Sequence, residues 1–265
     1  MYQQHFGLTH IPFSKDTQTL WESTELTDFK TQFTNLLHSP GIGVLTGEPG
    51  VGKTAAVRQV VQSLNPHIHQ AFYISESHFT SFDIYQQLAC DLGIAPASRC
   101  SRVWRNVKTF IKDSVESNRC KPVFIIDEAQ NLPYDFLRNF PSFMNFEFDA
   151  RDMLTVWFIG HPEFAHTLKK NVHVALASRI RVRCTLQPVM GHEQFTKLMD
   201  HAFKAAGSQT KLLSDSGIDI LRIASQGRLR LVHNILATSM QLAQQRNLNH
   251  LQDEVIKEAI VILNG

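Results

Sequence analysis

An α/β fold built on a parallel sheet with helices on both faces, followed by a small all-helical domain, is predicted by three features of this 265-residue sequence. A glycine-rich loop, Gly47-Glu48-Pro49-Gly50-Val51-Gly52-Lys53-Thr54, stands between a short apolar run and a segment of helical periodicity. Further apolar runs alternate with helical segments as far as Pro188, the order that builds a buried parallel sheet. Beyond Pro188 only helical stripes remain. The expected division is an α/β domain over residues 1–188, including an N-terminal lead-in, and a helical domain over 189–265.

Each element has its own justification. The lead-in, residues 1–23, contains Phe6-Gly7-Leu8 and Ile11-Pro12-Phe13-Ser14, apolar but irregular, with Pro12 interrupting any helix. It is expected to pack onto the core. From Thr27, the positions Phe29, Phe33, Leu36 and Leu37 form a helical stripe that ends near Pro40. Ile42 to Thr46 reads as a buried strand, and Ala55, Ala56, Val57, Val60, Val61 and Leu64 give the segment after the loop an apolar face. Ala71–Ile74, Val123–Ile126 and Leu154–Ile159 read as further buried strands, with a last short one at Arg181–Leu186. In the C-terminal part, Phe195, Leu198, Met199, Ala202 and Phe203 form a stripe ending at Gly207. Ser214 is placed to cap a second helix reaching about Gln226, and Gly227 separates it from two more, over 229–245 and 251–263. There is no fixed-period repeat and no low-complexity tract.

The loop matches G-x-x-x-x-G-K-[ST], a phosphate cradle when it joins a strand to a helix, and implies binding of a nucleoside triphosphate. Its glycines let backbone N–H groups turn toward the phosphates, Lys53 adds a point charge there, and the Thr54 hydroxyl is suited to ligate Mg2+. The run Val123-Phe124-Ile125-Ile126 ends in Asp127-Glu128, two acids at the carboxyl edge of the expected sheet, where ligand sites of α/β folds form. Asp127 is the expected Mg2+ holder, and Glu128 the general base that polarises the attacking water. Helix capping is the plainer alternative for this pair.

Bulk properties narrow the class. A formal net charge of +2 excludes a strongly basic, histone-like protein, so any nucleic-acid contact must come from a local patch. The four cysteines, Cys90, Cys100, Cys120 and Cys184, show no C-x-x-C spacing, which argues for reduced thiols and against structural zinc. The N-terminus lacks a secretory pattern, and no apolar run approaches the ~20 residues needed to cross a bilayer. The expectation is a soluble cytoplasmic protein without a membrane partner.

Taken together, these motifs and the helical C-terminal part resemble an AAA+ ATPase, and more narrowly the ExeA-like group, which includes transposition ATPases of the TnsC, TniB and MuB kind. Phe6-Gly7-Leu8 with Pro12-Phe13-Ser14 is similar to that group's opening, and Asp127-Glu128-Ala129-Gln130-Asn131-Leu132 to its Walker B segment. Leu137-Arg138, Asn145-Phe146-Glu147 and Ile159-Gly160-His161-Pro162-Glu163-Phe164 also follow its pattern. The resemblance implies a P-loop AAA+ sheet flanked by helices, an all-α lid, ATP and Mg2+ as cofactors, and ATP hydrolysis. It implies that His161, where the group more often has Gln, senses the γ-phosphate. Ala177-Ser178-Arg179-Ile180 resembles the arginine-finger segment, so Arg179 is implied to reach a neighbouring subunit's phosphate, with Arg181 and Arg183 as alternatives. Gly227-Arg228-Leu229-Arg230 resembles the sensor-2 helix start and implies a phosphate-directed role for Arg230, with Arg228 as its competitor. Leu229 replaces that motif's proline, and Asn234 is displaced by one position from its asparagine.

Arg99, Arg102, Arg105, Lys108, Lys112, Arg119 and Lys121 gather in one local basic stretch, against only Asp113 and Glu116. A solvated helix face and a DNA-contacting face fit these charges equally; the resemblance favours duplex DNA, through Arg99, Arg102 and Lys108. The function it implies is an ATP-dependent regulator of transposition that forms a ring or filament on DNA, selects a target and recruits or activates a transposase, with a targeting factor as a further partner. An ExeA-like secretion-apparatus ATPase and a DnaC-like helicase loader are the alternatives.

Overall fold

The computed structural model describes residues 2–15, 17, 19–75, 80–117 and 120–264. Its elements in chain order are α1 (Tyr2–His5), α2 (Thr24–His38), β1 (Ile42–Gly47), α3 (Lys53–Gln62), β2 (His69–Ile74), α4 (Ser81–Asp91), α5 (Cys100–Glu116) and β3 (Lys121–Ile126). There follow α6 (Tyr134–Met144), β4 (Thr155–Gly160), α7 (Pro162–Leu168), α8 (Val174–Ala177), β5 (Ile180–Leu186), α9 (His192–Ala205), α10 (Asp215–Ser225), α11 (Leu229–Gln245) and α12 (Asp253–Asn264). They form two compact units: a sheet unit of Thr24–Gly47 with Val60–Leu186, and a helical unit of Met1–Ser23, Glu48–Gln59 and Gln187–Gly265.

The sheet unit is a five-stranded sheet of order β2-β3-β4-β1-β5, parallel at every pairing. Every residue of β1 and β4 is buried, which explains why these strands read as unbroken apolar runs rather than as alternating ones. Alternation appears in the packing instead, because successive side chains leave opposite faces of a strand. From β4, Phe158 meets Phe140 and Phe164 on one face, while Trp157 meets Phe33 and Phe29 of α2 on the other. The Trp157 ring stacks on Phe33 with centroids 5.2 Å apart. Gly43, its register partner on β1, makes room for it: a Cβ there would lie 2.7 Å from the indole. On the Phe158 face, Phe72, Tyr85, Phe124, Phe136 and Phe143 complete an aromatic core under α4, α5 and α6.

One buried group in this unit couples the fold to pH. The His173 side chain is 1 % exposed, both ring nitrogens lack a hydrogen-bond partner among the described residues, and the ring meets Tyr134 edge-on at 5.1 Å. Burial, helped by the charge of Lys170, pushes its pKa below the ordinary histidine value. The folded chain therefore holds His173 neutral where the unfolded chain, with a pKa of about 6.5, already takes a proton. Stability is fully present above about pH 6.5 and falls as pH drops below it, toward the depressed folded pKa. A His173→Leu variant should show a flatter urea midpoint between pH 7.5 and 5.5 than the parent; an unchanged slope would remove His173 from the acid response.

In the helical unit, α9 to α12 enclose Phe195, Leu198, Met199, Leu221, Val232, Leu236, Met240 and Ile256. Ser214 caps α10 by accepting from Gly217 N–H at 2.8 Å. The lead-in belongs to this cluster. Phe6 and Leu8 are buried in it, Thr9 N–H donates to Ala206 O at 2.9 Å, and His233 Nδ1 lies 3.0 Å from Pro12 O.

Candidate functional site

The phosphate loop is shaped by its glycines. Gly50 has φ +84° and Gly52 φ +101°, a region that L side chains rarely adopt, and a Cβ on Gly50 would lie 2.9 Å from the Arg230 Cβ. The start of α11 rests on the loop: Arg230 N–H donates to Gly50 O at 3.1 Å, and Leu229 Cδ1 lies 3.3 Å from where a Gly52 Cβ would stand. Leu229, which departs from the sensor-2 pattern, is thus the residue that packs over the loop. Lys53 opens α3 and is 8 % exposed, its Nζ donating to Glu48 O at 3.1 Å; Thr54 follows it on the exposed side.

In the sheet unit, the carboxyl ends of β1, β3 and β4 lie along one edge of the sheet, since Thr46 registers with Gly160 and Ile126 with Phe158. Asp127 and His161 leave from this edge. Asp127 is buried, takes a 2.8 Å hydrogen bond from the Tyr73 hydroxyl on Oδ2, and holds the Glu128 N–H on Oδ1, also at 2.8 Å. Burial, then the hydrogen bond to Asp127, push the Tyr73 hydroxyl's pKa up, so it stays a donor. Glu128 adopts a left-handed backbone, φ 52° and ψ 39°. Its Oε2 accepts from Gln130 Nε2 at 2.6 Å and lies 3.7 Å from His161 Nε2; His161 Nδ1 is 3.9 Å from Glu163. Thr54 and Asp127 are hard oxygen donors of the kind Mg2+ takes.

The three arginines near β5 differ in what holds them. Arg179 Nη2 donates to Asn145 Oδ1 at 2.9 Å and to Asp149 Oδ2 at 3.3 Å. Arg181 pairs with Asp152 and Ser39, and Arg183 donates to Ala177 O. Asn145 and Asp149 flank a turn in which Glu147, Phe148 and Asp149 all have positive φ and Phe148 stands wholly in solvent.

The basic stretch divides along α5. Arg99 and Arg102 are exposed at its N-terminal end and make no ion pair among the described residues. Lys108 instead donates to the carbonyls of Ser142 and Asn145 and lies 4.8 and 4.6 Å from the Trp104 and Phe146 rings; burial lowers its pKa. Trp104 and Phe110 pack against the core. Lys112 pairs with Glu116 and Glu147, and Arg119 lies outside the described residues. Tyr73, Gln130, Asn145 and Asp149 join the candidate residues through these hydrogen bonds. Gln130 and Asn145 belong to the segments Asp127–Leu132 and Asn145–Glu147, whereas Tyr73 and Asp149 owe their contacts to strand register and to a turn.

Among the described residues, no helix is long and apolar enough to cross a membrane. Along its whole length the chain is 28 % identical to General secretion pathway protein A of Aeromonas hydrophila, and spans 49 % of that protein, about half of its length. Among solved structures it is similar to Cdc6p of Pyrobaculum aerophilum, with TM-score 0.73 and 19 % identity over 94 % of this chain and 71 % of that one. It is equally similar in fold to the ORC1 protein of Aeropyrum pernix, solved in complex with DNA, with TM-score 0.73 and 16 % identity over 95 % and 68 % of the two chains. Residues 36–168, which include the phosphate loop, Asp127, Glu128 and His161, match the family described as AAA domain, and the chain belongs to that family.

Proposed function

We propose that this chain is an ATP-driven switch that assembles on duplex DNA and regulates transposition, binding a target and recruiting or activating a transposase. The observation that carries the switch is the hydrogen bond from Arg230 N–H to Gly50 O, which ties the helix start of the helical unit to the loop that takes the phosphates. In this reading the loop N–H groups and Lys53 bind the phosphates, and Arg230 reports their arrival to the helices. Glu128 takes the proton of the attacking water, a role worth roughly 10²–10⁴-fold in rate. Mg2+, held by Thr54 and Asp127, would supply charge neutralisation on the phosphates. Arg179 completes the site of a neighbouring copy.

The exposed Arg99 and Arg102 support the DNA assignment, as does the fold-level likeness to an ORC1 protein solved with DNA. Lys108, spent on its own unit, supports it least. A second reading, a secretion-apparatus ATPase, is favoured by the identity to General secretion pathway protein A along the whole chain.

Imaging and sedimentation with random duplex DNA and a slowly hydrolysed ATP analogue separate the two. The proposal expects ATP-dependent assembly on DNA that weakens steeply with salt, as counterion release requires. Assembly indifferent to DNA would overturn it and leave the secretion reading. Arg179→Ala is expected to bind ATP normally and to lose hydrolysis by about 10³-fold or more in the assembly; a normal rate would remove Arg179 from catalysis.

A further inference from the structure

We propose that Gln130 is the positioning residue for Glu128, gripping its carboxylate from a backbone amide at the end of β4. The proposal rests on the reading of Glu128 as the general base. Gln130 Nε2 donates to Glu128 Oε2 at 2.6 Å, and Gln130 Oε1 accepts from His161 N–H at 3.0 Å. A carboxylate only accepts and a backbone N–H only donates, so both ends of the amide are oriented by their partners. Glutamate at this position would oppose Glu128, lysine could not accept from His161, and a hydrocarbon could do neither.

Two further features make the grip firm. The Gln130 backbone sits in the single helical turn Ala129–Asn131, closed by Asn131 N–H donating to Glu128 O at 2.8 Å, with Ala129 fully buried. The amide also lies close against the strand end, since a Cβ at Gly160 would stand 3.0 Å from Gln130 Oε1. The Glu128 side chain is 44 % exposed, and the His161 ring approaches it only to 3.7 Å. Without Gln130 that carboxylate would spread over several rotamers. With it, Oε2 is occupied and Oε1 remains to accept from the attacking water. As the water oxygen bonds to the γ-phosphorus and the bond from that phosphorus to the bridging oxygen breaks, the water's proton passes to Oε1 and ADP leaves with the electron pair.

The test compares steady-state ATP hydrolysis, ATP binding and thermal melting in the full chain and in Gln130→Ala, Gln130→Glu and Glu128→Gln. Gln130→Ala should lower kcat about 10–100-fold, the effect of misplacing a reacting group by about 1 Å, with KM and ATP affinity unchanged. Gln130→Glu should be at least as slow, because a carboxylate in that place cannot donate to Glu128 and sets like charge against it. Wild-type kcat in Gln130→Ala beside an inactive Glu128→Gln would overturn the proposal, as would a parent-like kcat in Gln130→Glu. If Gln130→Ala does not fold, the kcat of Gln130→Glu decides. A Glu128→Gln protein that hydrolyses ATP at the parent rate would instead overturn the general-base reading itself.

Discussion

Lys53→Ala is expected to weaken ATP binding by roughly 30- to 1,000-fold, the equivalent of about 2–4 kcal/mol for removing one member of a buried, hydrogen-bonded charge contact. Lys53 is almost completely buried at the start of α3, and its ammonium already reaches back to the Glu48 carbonyl at the base of the loop. A lysine held in this way would lose little side-chain freedom on meeting a phosphate. Alanine keeps the helix, so the thermal melt of the free protein should shift little while titration with a fluorescent ATP analogue loses its signal. Parent-like affinity in this variant would refute the assignment of Gly47 to Thr54 as a phosphate cradle, and with it ATP-dependent assembly.

Trp157→Ala should produce the largest loss of stability, about 3–5 kcal/mol, as expected for truncating a fully buried indole. The ring fills the space that Gly43 leaves open and stacks on Phe33, so its removal leaves a cavity that the neighbouring strand cannot close. Trp157→Phe should cost much less, because the indole N–H has no hydrogen-bond partner among the described residues to lose. Urea unfolding of the two variants measures the difference. A Trp157→Ala loss below about 1 kcal/mol would contradict this packing.

What the sequence disclosed follows from which physical signals are local. β1, β3 and β4 are central strands, buried on both faces, and therefore stood out as apolar runs. α2 and α9 to α12 have apolar stripes uninterrupted by proline, and Ser214 announced the α10 cap. α6 was hidden, because Pro141 lies inside it and breaks the pattern that Phe136, Phe140 and Phe143 would otherwise form. Lys108 shows the limit for charge: its sequence neighbours mark a basic stretch, but only the fold reveals that its ammonium turns toward Asn145 and two aromatic rings. The loop residues, Asp127 and Glu128 stood out as candidates because the motifs that hold them are contiguous. Tyr73 was not, since its hydroxyl reaches Asp127 across a strand pairing that joins positions 54 residues apart.

The strand order has one more consequence, for how this protein keeps its copies from fusing. β5 closes one side of the sheet, with Arg181, Arg183 and Thr185 exposed along it. An edge strand is where the same strand of another molecule could add on through its backbone, the first step toward precipitation. Arg183 and the Arg181–Asp152 pair put charge beside that strand, whose desolvation disfavours edge-to-edge pairing of two copies.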